Sequence, residues 1–115
     1  LEPERFVIGE ECSEAVSRAI DEGRRIVAVG TTTTRVLETA GRGIRPSSGR
    51  TSLFIRPPYD FQVAGGLLTN FHLPGSSLLC LVSAFMGLDF MHEAYSRAIS
   101  GEYRFYSYGD AMLIT

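Results

Sequence analysis

The sequence predicts an α/β domain: a mostly parallel sheet with helices on its faces. First, β-prone runs alternate with segments whose apolar residues recur at helical spacing. Second, the run at residues 25–29, RIVAV, is apolar without polar alternation, as in a buried parallel strand. Third, no repeat or linker divides the 115 residues. We therefore expect both halves of the chain to share one sheet.

The first half is predicted to run β-α-β-α. A short strand over residues 6–8 precedes a helix over residues 10–22, and Gly23 provides a left-handed cap. This helix is predicted from one apolar stripe at helical spacing: Cys12, Ala15, Val16, Ala19 and Ile20. The strand at residues 25–29 ends at Gly30, and a shorter helix with the apolar face Val36, Leu37 and Ala40 closes at Gly41.

The middle of the chain is predicted to be richer in loops. Residues 41–50 have the composition of a loop, and residues 51–55 form a β-prone run that Pro57-Pro58 ends. Two further short β-like pieces are expected at residues 61–63 and 67–71.

Two helices are predicted next. The first covers residues 78–86, is apolar all round and is capped by Ser76 or Ser77. The second begins at Asp89 as N-cap and stops at Gly101. Its apolar stripe is Met91, Ala94, Tyr95, Ala98 and Ile99. The last predicted elements are two strands, over residues 103–106 and 111–114, joined by a turn at residues 107–110.

Charge restricts the partners of the chain. The formal net charge is −2 and the pI about 5.6, without the basic excess of most free-standing nucleic-acid binders. The segment GRGIRPSSGRTSLFIR is locally basic because it contains Arg42, Arg45, Arg50 and Arg56. On sequence alone, it is either a solvated loop or a local phosphate contact.

Cysteine use and hydropathy argue against several classes of protein. Cys12 and Cys80 are too few for a disulfide framework, and with two histidines they match no zinc pattern. The apolar run at residues 78–86 is too short to span a bilayer, and no export signal opens the chain. We expect reduced cysteines, no metal, no membrane contact and a cytoplasmic location.

The segment VAVGTTTTR contains the first of three polar interruptions at predicted strand ends. Gly30, Thr31 and Thr32 open a helix, with Arg35 nearby, and could bind a carboxylate or phosphate at the helix N-terminus. Alternatively, the threonines only cap the helix. The segment lacks G-x-G-x-x-G, and the next β-prone run ends at Arg56 rather than at an acidic residue, which disfavours a standard dinucleotide site.

TNFHLP and YSYGDA are the other two interruptions. In TNFHLP, His72 is a general-base candidate because its unperturbed pKa lies near neutrality; alternatively, it is a hydrogen-bonded core residue beside a turn asparagine. In YSYGDA, Asp110 is either a carboxylate partner for a cation or a turn residue. A parallel sheet would bring all three interruptions to one edge.

Together and in order, five blocks resemble one family closely, the S-adenosylmethionine:tRNA ribosyltransferase-isomerases of queuosine biosynthesis. The blocks are GRRIVAVGTTTTRVLE, LFI-x-P-x-Y-x-F, LLTNFHLP, LLCLVSAFMG and YRFYSYGDAMLI. The resemblance covers nearly the whole chain. It implies that residues 1–115 are the C-terminal portion of the α/β domain of a two-domain enzyme whose N-terminal part and all-β domain are absent.

The resemblance also implies a reaction. The ribosyl moiety of S-adenosylmethionine, the co-substrate, is transferred to 7-aminomethyl-7-deazaguanine in tRNA and isomerised, giving epoxyqueuosine, adenine and methionine. In the mechanism usually proposed, a base removes the ribose C5′ proton, adenine leaves, the amine attacks the sugar, and an epoxide closes as methionine departs. A non-catalytic structural lobe and a small-ligand-binding α/β module are the alternatives.

We assign roles within this reaction as hypotheses. His72 is the base, with Asp110 as the alternative. Aromatic faces and carboxylates suit the sulfonium, and hydroxyls and helix amides suit the methionine carboxylate. The expected binding residues are Gly30, Thr31, Thr32, Arg35, Thr69, Asn70, Phe71, Tyr106, Ser107 and Tyr108. The expected tRNA contacts are Arg42, Arg45 and Arg50.

Some positions depart from the pattern we expect of the family. Gly75 stands where a basic residue is frequent, Gly65 where we expect Asp, and Pro58 where Gly is usual. TTTTR replaces a more usual TTSVR. Because the chain begins at Leu1 and a predicted strand runs to its last residues, we also expect a fragment. Since the resemblance implies that the N-terminal two thirds of the family's chain is absent, we expect no ribosyl transfer from this chain alone.

Overall fold

The computed structural model describes residues 3–72, 76–102 and 110–115. The helices and strands in these ranges are β1 (Glu4–Ile8), α1 (Glu10–Asp21), β2 (Val27–Val29), α2 (Thr31–Ala40), β3 (Ser47–Thr51), β4 (Gly66–Asn70), α3 (Ser77–Met86), α4 (Leu88–Ser100) and β5 (Ala111–Ile114). No single helix within them is long and apolar enough to cross a membrane. Ser77–Met86 and Asp89–Ser100 pass that test only as a pair, which is bent by 118°.

The described strands form two sheets. β1 pairs antiparallel with β3, with Glu4 opposite Thr51 and Ile8 opposite Ser47. The second sheet has the order β2-β4-β5, in which β2 is parallel to β4 and β4 is antiparallel to β5. The α/β class is therefore confirmed, but the prediction of a mostly parallel sheet is wrong.

β5 runs antiparallel to β4, with Asn70 opposite Ala111 and Leu67 opposite Ile114. It therefore begins at the edge of the sheet where β4 ends. Helices α3 and α4 lie between the two strands in the sequence.

Three of the helices, α1, α2 and α4, were predicted from their apolar spacing, and α3 was predicted from its all-round apolar character. The structure confirms these predictions within about two residues. Gly23 and Gly41 have φ of +69° and +73°, the left-handed region expected of glycine after a helix. Ser76 caps α3, because its side chain accepts a hydrogen bond from the backbone N–H of Leu79 at 3.3 Å. Gly87, rather than Asp89, is the N-cap of α4.

The strand predictions were wrong in the middle of the chain. Residues 47–50 were predicted as loop but belong to β3; they are exposed and polar, so only their pairing with β1 marks them as a strand. Of the predicted strand at residues 51–55, Thr51 alone belongs to one. Ile55 is buried in irregular backbone, so the apolar run reflected burial. Residues 61–63 are not a strand either.

The hydrophobic core has two connected parts. One lies between the β4–β5 pair and helices α3 and α4, and it contains Leu67, Leu81, Val82, Met91 and Tyr95. The other surrounds Ala28 of β2 and contains Ile8, Leu37, Ile44, Val63 and Ala64. On β2, Ala28 is buried in this part of the core, whereas Val27 and Val29 are exposed. The prediction that β2 is buried on both faces is therefore wrong within this structure.

The predicted strand at residues 103–106 and turn residues 107–109 lie outside the described residues.

Candidate functional site

Two backbone hydrogen bonds bring the polar interruptions together at one edge of the three-stranded sheet. The N–H of Gly30 donates to the carbonyl of Leu68 at 2.8 Å, and the N–H of Phe71 donates to the carbonyl of Asp110 at 3.3 Å. Gly30 follows the carboxyl end of β2, and Phe71 follows that of the parallel strand β4. Asp110 reaches the same edge because β5 is antiparallel and begins there. The carboxyl end of β4 is therefore the centre of the candidate site.

His72 is half-buried directly after β4. Its Nε2 lies 3.0 Å from the hydroxyl of Thr69, a buried residue of β4, and its backbone N–H donates to the hydroxyl of Tyr95 at 3.0 Å. Burial lowers the pKa of His72 below its ordinary 6.5. The imidazole is therefore neutral near pH 7 and retains a nitrogen that can accept a proton.

Tyr95 of α4 supports His72 from the core side. Its hydroxyl accepts the His72 backbone hydrogen bond, and its ring packs edge-on against Phe71, with centroids 5.4 Å apart at 78°. Burial raises the pKa of Tyr95, and the hydrogen bond from His72 acts in the opposite direction. Sequence reasoning placed Tyr95 only in the core stripe of α4. A tyrosine on a buried helix face usually has a polar partner, and that was the available signal.

The other predicted residues of TNFHLP are divided between the sheet and the core. Phe71 is buried at 6% exposure, so its ring packs in the core. Asn70 is half-buried at the end of β4, opposite Ala111 of β5. Tyr106, Ser107 and Tyr108 lie outside the described residues, as does Gly75.

The Gly-Thr loop does not cap α2 with a side chain. Gly30 is the N-cap, with φ of +93°, and no side-chain cap bond is formed. Thr31 is buried, and the Thr34 hydroxyl donates back to the Gly30 carbonyl at 3.0 Å. Thr32 is exposed, and its hydroxyl donates to the Glu4 carboxylate at 3.1 Å. The chain's own Glu4 thus places a negative charge beside the first turn of α2.

Arg35 is fully buried, with 0% exposure. Its guanidinium forms a salt bridge with Glu4 and donates to the carbonyls of Leu53, at 3.0 Å, and Thr51, at 3.4 Å. Arg35 therefore ties α2 to β1, to the end of β3 and to the segment after β3, and these described contacts are all with the protein itself. Glu4 belongs to no motif, but a buried arginine requires an anionic partner, which was the available signal.

Glu38, one turn after Arg35, is also buried and holds the loop that leads to β4. One carboxylate oxygen accepts from the N–H of Gln62 at 2.8 Å and the hydroxyl of Tyr59 at 3.2 Å. The other accepts from the N–H groups of Val63 and Ala64, at 2.9 and 3.0 Å. Burial, followed by the charge and hydrogen bond of Glu38, raises the pKa of Tyr59 to about 12. Sequence reasoning missed Glu38.

The predicted basic segment is exposed. Arg42, Arg45 and Arg50 are all solvent-accessible, and Arg42 donates to the Gln62 carbonyl at 3.4 Å. Arg50 lies directly opposite Arg5, which is also exposed, in the β1–β3 pairing. Like charges in opposite positions repel each other, so these two side chains form a local basic patch that an anion would stabilise. Arg5 was not predicted.

Metal binding finds no support in the described part of the chain. No group of three or more His, Cys, Asp or Glu side chains there could hold a metal ion. Cys12 and Cys80 are both free thiols.

Comparison with known proteins decides the family. The sequence profile described as "Queuosine biosynthesis protein" matches residues 1–114. The chain belongs to the queuosine biosynthesis protein family. The resemblance seen in the sequence blocks is therefore confirmed.

Individual family members are similar over the whole chain. The S-adenosylmethionine:tRNA ribosyltransferase-isomerase of Thermus thermophilus is 56% identical over 99% of this chain and 34% of its own length. The protein of the same name from an Azoarcus species is 51% identical over 100% of this chain and 34% of its own length.

A solved structure extends the likeness to the fold. The crystal structure of the S-adenosylmethionine tRNA ribosyltransferase of Thermotoga maritima matches with a TM-score of 0.90 at 49% identity, covering 96% of this chain and 40% of that one. This queuosine biosynthesis chain thus spans about a third of the length of the curated relatives it matches.

Proposed function

We propose that this chain supplies part of the active site of an enzyme that transfers and isomerises the ribosyl moiety of S-adenosylmethionine onto 7-aminomethyl-7-deazaguanine in tRNA. The products are epoxyqueuosine, adenine and methionine. Family membership supports the reaction class. The observation that carries the proposal for this chain is the convergence of Gly30, His72 and Asp110 at the carboxyl end of β4.

The proposed reaction begins with removal of the ribose C5′ proton, which the neighbouring sulfonium makes acidic. His72 is the proposed base, because its lowered pKa keeps it neutral and the Thr69 hydroxyl orients its ring. Adenine then leaves, the tRNA-borne amine attacks the sugar, and the epoxide closes as methionine departs. Asp110, at the same sheet edge, is the alternative base.

For substrate binding, we propose that the N-terminal turn of α2, in the segment Gly30, Thr31 and Thr32, receives the methionine carboxylate through backbone N–H groups, because the Thr32 hydroxyl already donates to Glu4. Arg35 is proposed to support this site by holding α2 in place rather than by contacting the substrate, because its guanidinium already binds Glu4 and two backbone carbonyls. The partly exposed Glu4 carboxylate beside Thr32 suits the positive charges of the co-substrate. Thr69, Asn70 and Phe71, together with Tyr106, Ser107 and Tyr108, complete the proposed set.

The basic segment is proposed as a tRNA contact. Arg42, Arg45 and Arg50 are exposed, and Arg5 adds a fourth cation opposite Arg50. Phosphate contacts of this kind give affinity without base specificity. We propose a cytoplasmic location because tRNA is the substrate, and the free thiols of Cys12 and Cys80 agree with a reducing compartment.

The test uses a chimera in which this chain replaces the matched third of the Thermus thermophilus relative, to which it is 56% identical. With S-adenosylmethionine and tRNA carrying the aminomethyl base, the chimera should release adenine and methionine in equal amounts. His72→Gln should slow adenine release by about 10²-fold or more, the usual contribution of a general base. His92→Gln, at an exposed position of α4, is the matched control and should leave the rate unchanged.

Methylated tRNA without free adenine would refute the reaction. Equal rates for His72→Gln and His92→Gln would refute His72 as the base and leave Asp110 to be tested. We further propose that residues 1–115 form the C-terminal portion of the α/β domain and lack ribosyl transfer on their own. Adenine release by the isolated chain would contradict this last proposal.

A further inference from the structure

One face of the three-stranded sheet carries a row of exposed apolar side chains and is bare of the other residues that the structure describes. Val29 of β2 is opposite Leu68 of β4, and Leu68 is opposite Leu113 of β5, so the three side chains form a row about 10 Å across. Val29 is 64% exposed, Leu68 36% and Leu113 61%. Val27, two residues before Val29, extends the row along β2 and is also exposed. We call these four residues the bare face.

The opposite face of the same sheet is fully covered. Ala28, Leu67 and Ile114 alternate with the residues of the bare face and are at most 9% exposed. They pack into the two parts of the core, together with residues of the described helices. Within the described residues, the helices therefore cover the face of the sheet that carries Ala28, Leu67 and Ile114, and not the bare face.

Isolated exposed hydrophobic side chains are ordinary, but a contiguous row in register is not. Sheets of parallel strands occur almost only with both faces covered, and they often carry an antiparallel strand at one edge. Here β2 and β4 are the parallel pair and β5 is the antiparallel edge strand. Among the residues that the structure describes, the sheet thus has one of its two expected helical layers.

We propose that the bare face docks an apolar helix from the part of the family chain that this sequence does not cover. That part amounts to about two thirds of the length of the relatives, since this chain covers 34% of them, and to more than half of the Thermotoga maritima chain, of which it covers 40%. It is long enough to supply the missing layer. The proposal does not depend on which reaction the family member catalyses.

Cysteine labelling tests this occupant in a complete protein. Single cysteines are placed at the positions of Val29, Leu113 and Ile99 in the full-length Thermus thermophilus relative and in this chain, with native cysteines changed to serine. Ile99 lies on α4 and is 59% exposed, so it matches the two test positions in exposure and lies outside the bare face. The measurement is the rate of maleimide modification at positions 29 and 113 divided by the rate at position 99.

In the full-length relative this ratio should be lower by about tenfold or more than in this chain alone, where all three positions should react at similar rates. An unchanged ratio in the full-length protein would overturn the proposal. A low ratio in this chain alone that rises on dilution would also overturn it, because a second copy would then be the occupant. Two independent test positions guard against one variant that does not fold.

Discussion

Replacing Glu38 by Gln removes a charge from a buried site while keeping the side-chain volume. In the folded protein the carboxylate accepts four hydrogen bonds, three of them from the backbone N–H groups of Gln62, Val63 and Ala64. A glutamine has one accepting oxygen, and its amino group can only donate. The substitution therefore cannot satisfy all four donors in any orientation.

The expected loss of stability is the cost of the most favourable orientation of the glutamine amide. If the amide oxygen faces Val63 and Ala64, the amino group faces the N–H of Gln62 and the Tyr59 hydroxyl, and the hydroxyl can turn to accept from it. The N–H of Gln62 then loses its partner. Because this hydrogen bond is only partly buried, the loss is about 1–2 kcal/mol, and the remaining bonds lose their charge assistance, at roughly 1 kcal/mol in total. The opposite orientation leaves two N–H groups facing a donor and costs more. We expect Glu38→Gln to lower the free energy of unfolding by about 2–3 kcal/mol.

Urea denaturation followed by circular dichroism measures this loss. Glu93→Gln is the matched control, because Glu93 is exposed and contacts only Arg97 in an i,i+4 pair among the described ion pairs. Such pairs contribute no more than about 0.5 kcal/mol. If Glu38→Gln lies within about 0.5 kcal/mol of the wild type, as the control should, the loop does not depend on the carboxylate and the reasoning is refuted.

The remaining predictions concern pH and tRNA. Because the folded state holds the pKa of His72 below 6.5, the unfolded chain gains a proton first as pH falls, and stability should decrease as pH drops through about 6.5. His72→Gln should reduce this decrease, whereas exposed His92→Gln should not; equal pH dependence of the urea midpoint in both variants would contradict the assignment. In the chimera, Arg45→Ala with Arg50→Ala should raise the KM for tRNA and lower the slope of log KM against log salt by about two, and Arg97→Ala should change neither. An unchanged KM in the double variant would exclude the segment as a tRNA contact.

Helices were predictable here because their signal is local. The stripes of α1 and α4 recur at helical spacing within one segment, and the glycines that end α1 and α2 have the conformation that glycine permits. The meeting of the polar strand ends was predictable for another reason. Parallel neighbouring strands end at the same edge of a sheet, so the parallel pairing of β2 and β4 is enough to place Gly30 and His72 at one edge. Asp110 reached that edge for a different reason, because β5 is antiparallel.

Strand pairing and buried charge were not predictable, because both depend on distant residues. β3 is polar and exposed, and it is a strand only because residues 4–8 lie beside it. Glu38 lies outside the predicted apolar face of its helix, and its partners lie 21 to 26 positions further along the chain. Glu4 and Arg35 are separated by 31 positions. No spacing rule within a helix reports such contacts.

Arg35 and Glu38 together determine where α2 lies. They are one turn apart with opposite charges, and both are buried. Arg35 binds β1 through Glu4, the end of β3 through the Thr51 carbonyl and the segment after β3 through the Leu53 carbonyl, while Glu38 binds the loop that enters β4. A buried charge that loses its partners is costly, so displacement of α2 from either set of contacts is strongly unfavourable. Since the first turn of α2 follows directly from Gly30, which is hydrogen-bonded to β4, the same contacts hold the N-terminus of α2 beside His72's strand. Glu4 and Glu38, which sequence reasoning missed, thus help to hold in place the strand ends that it found.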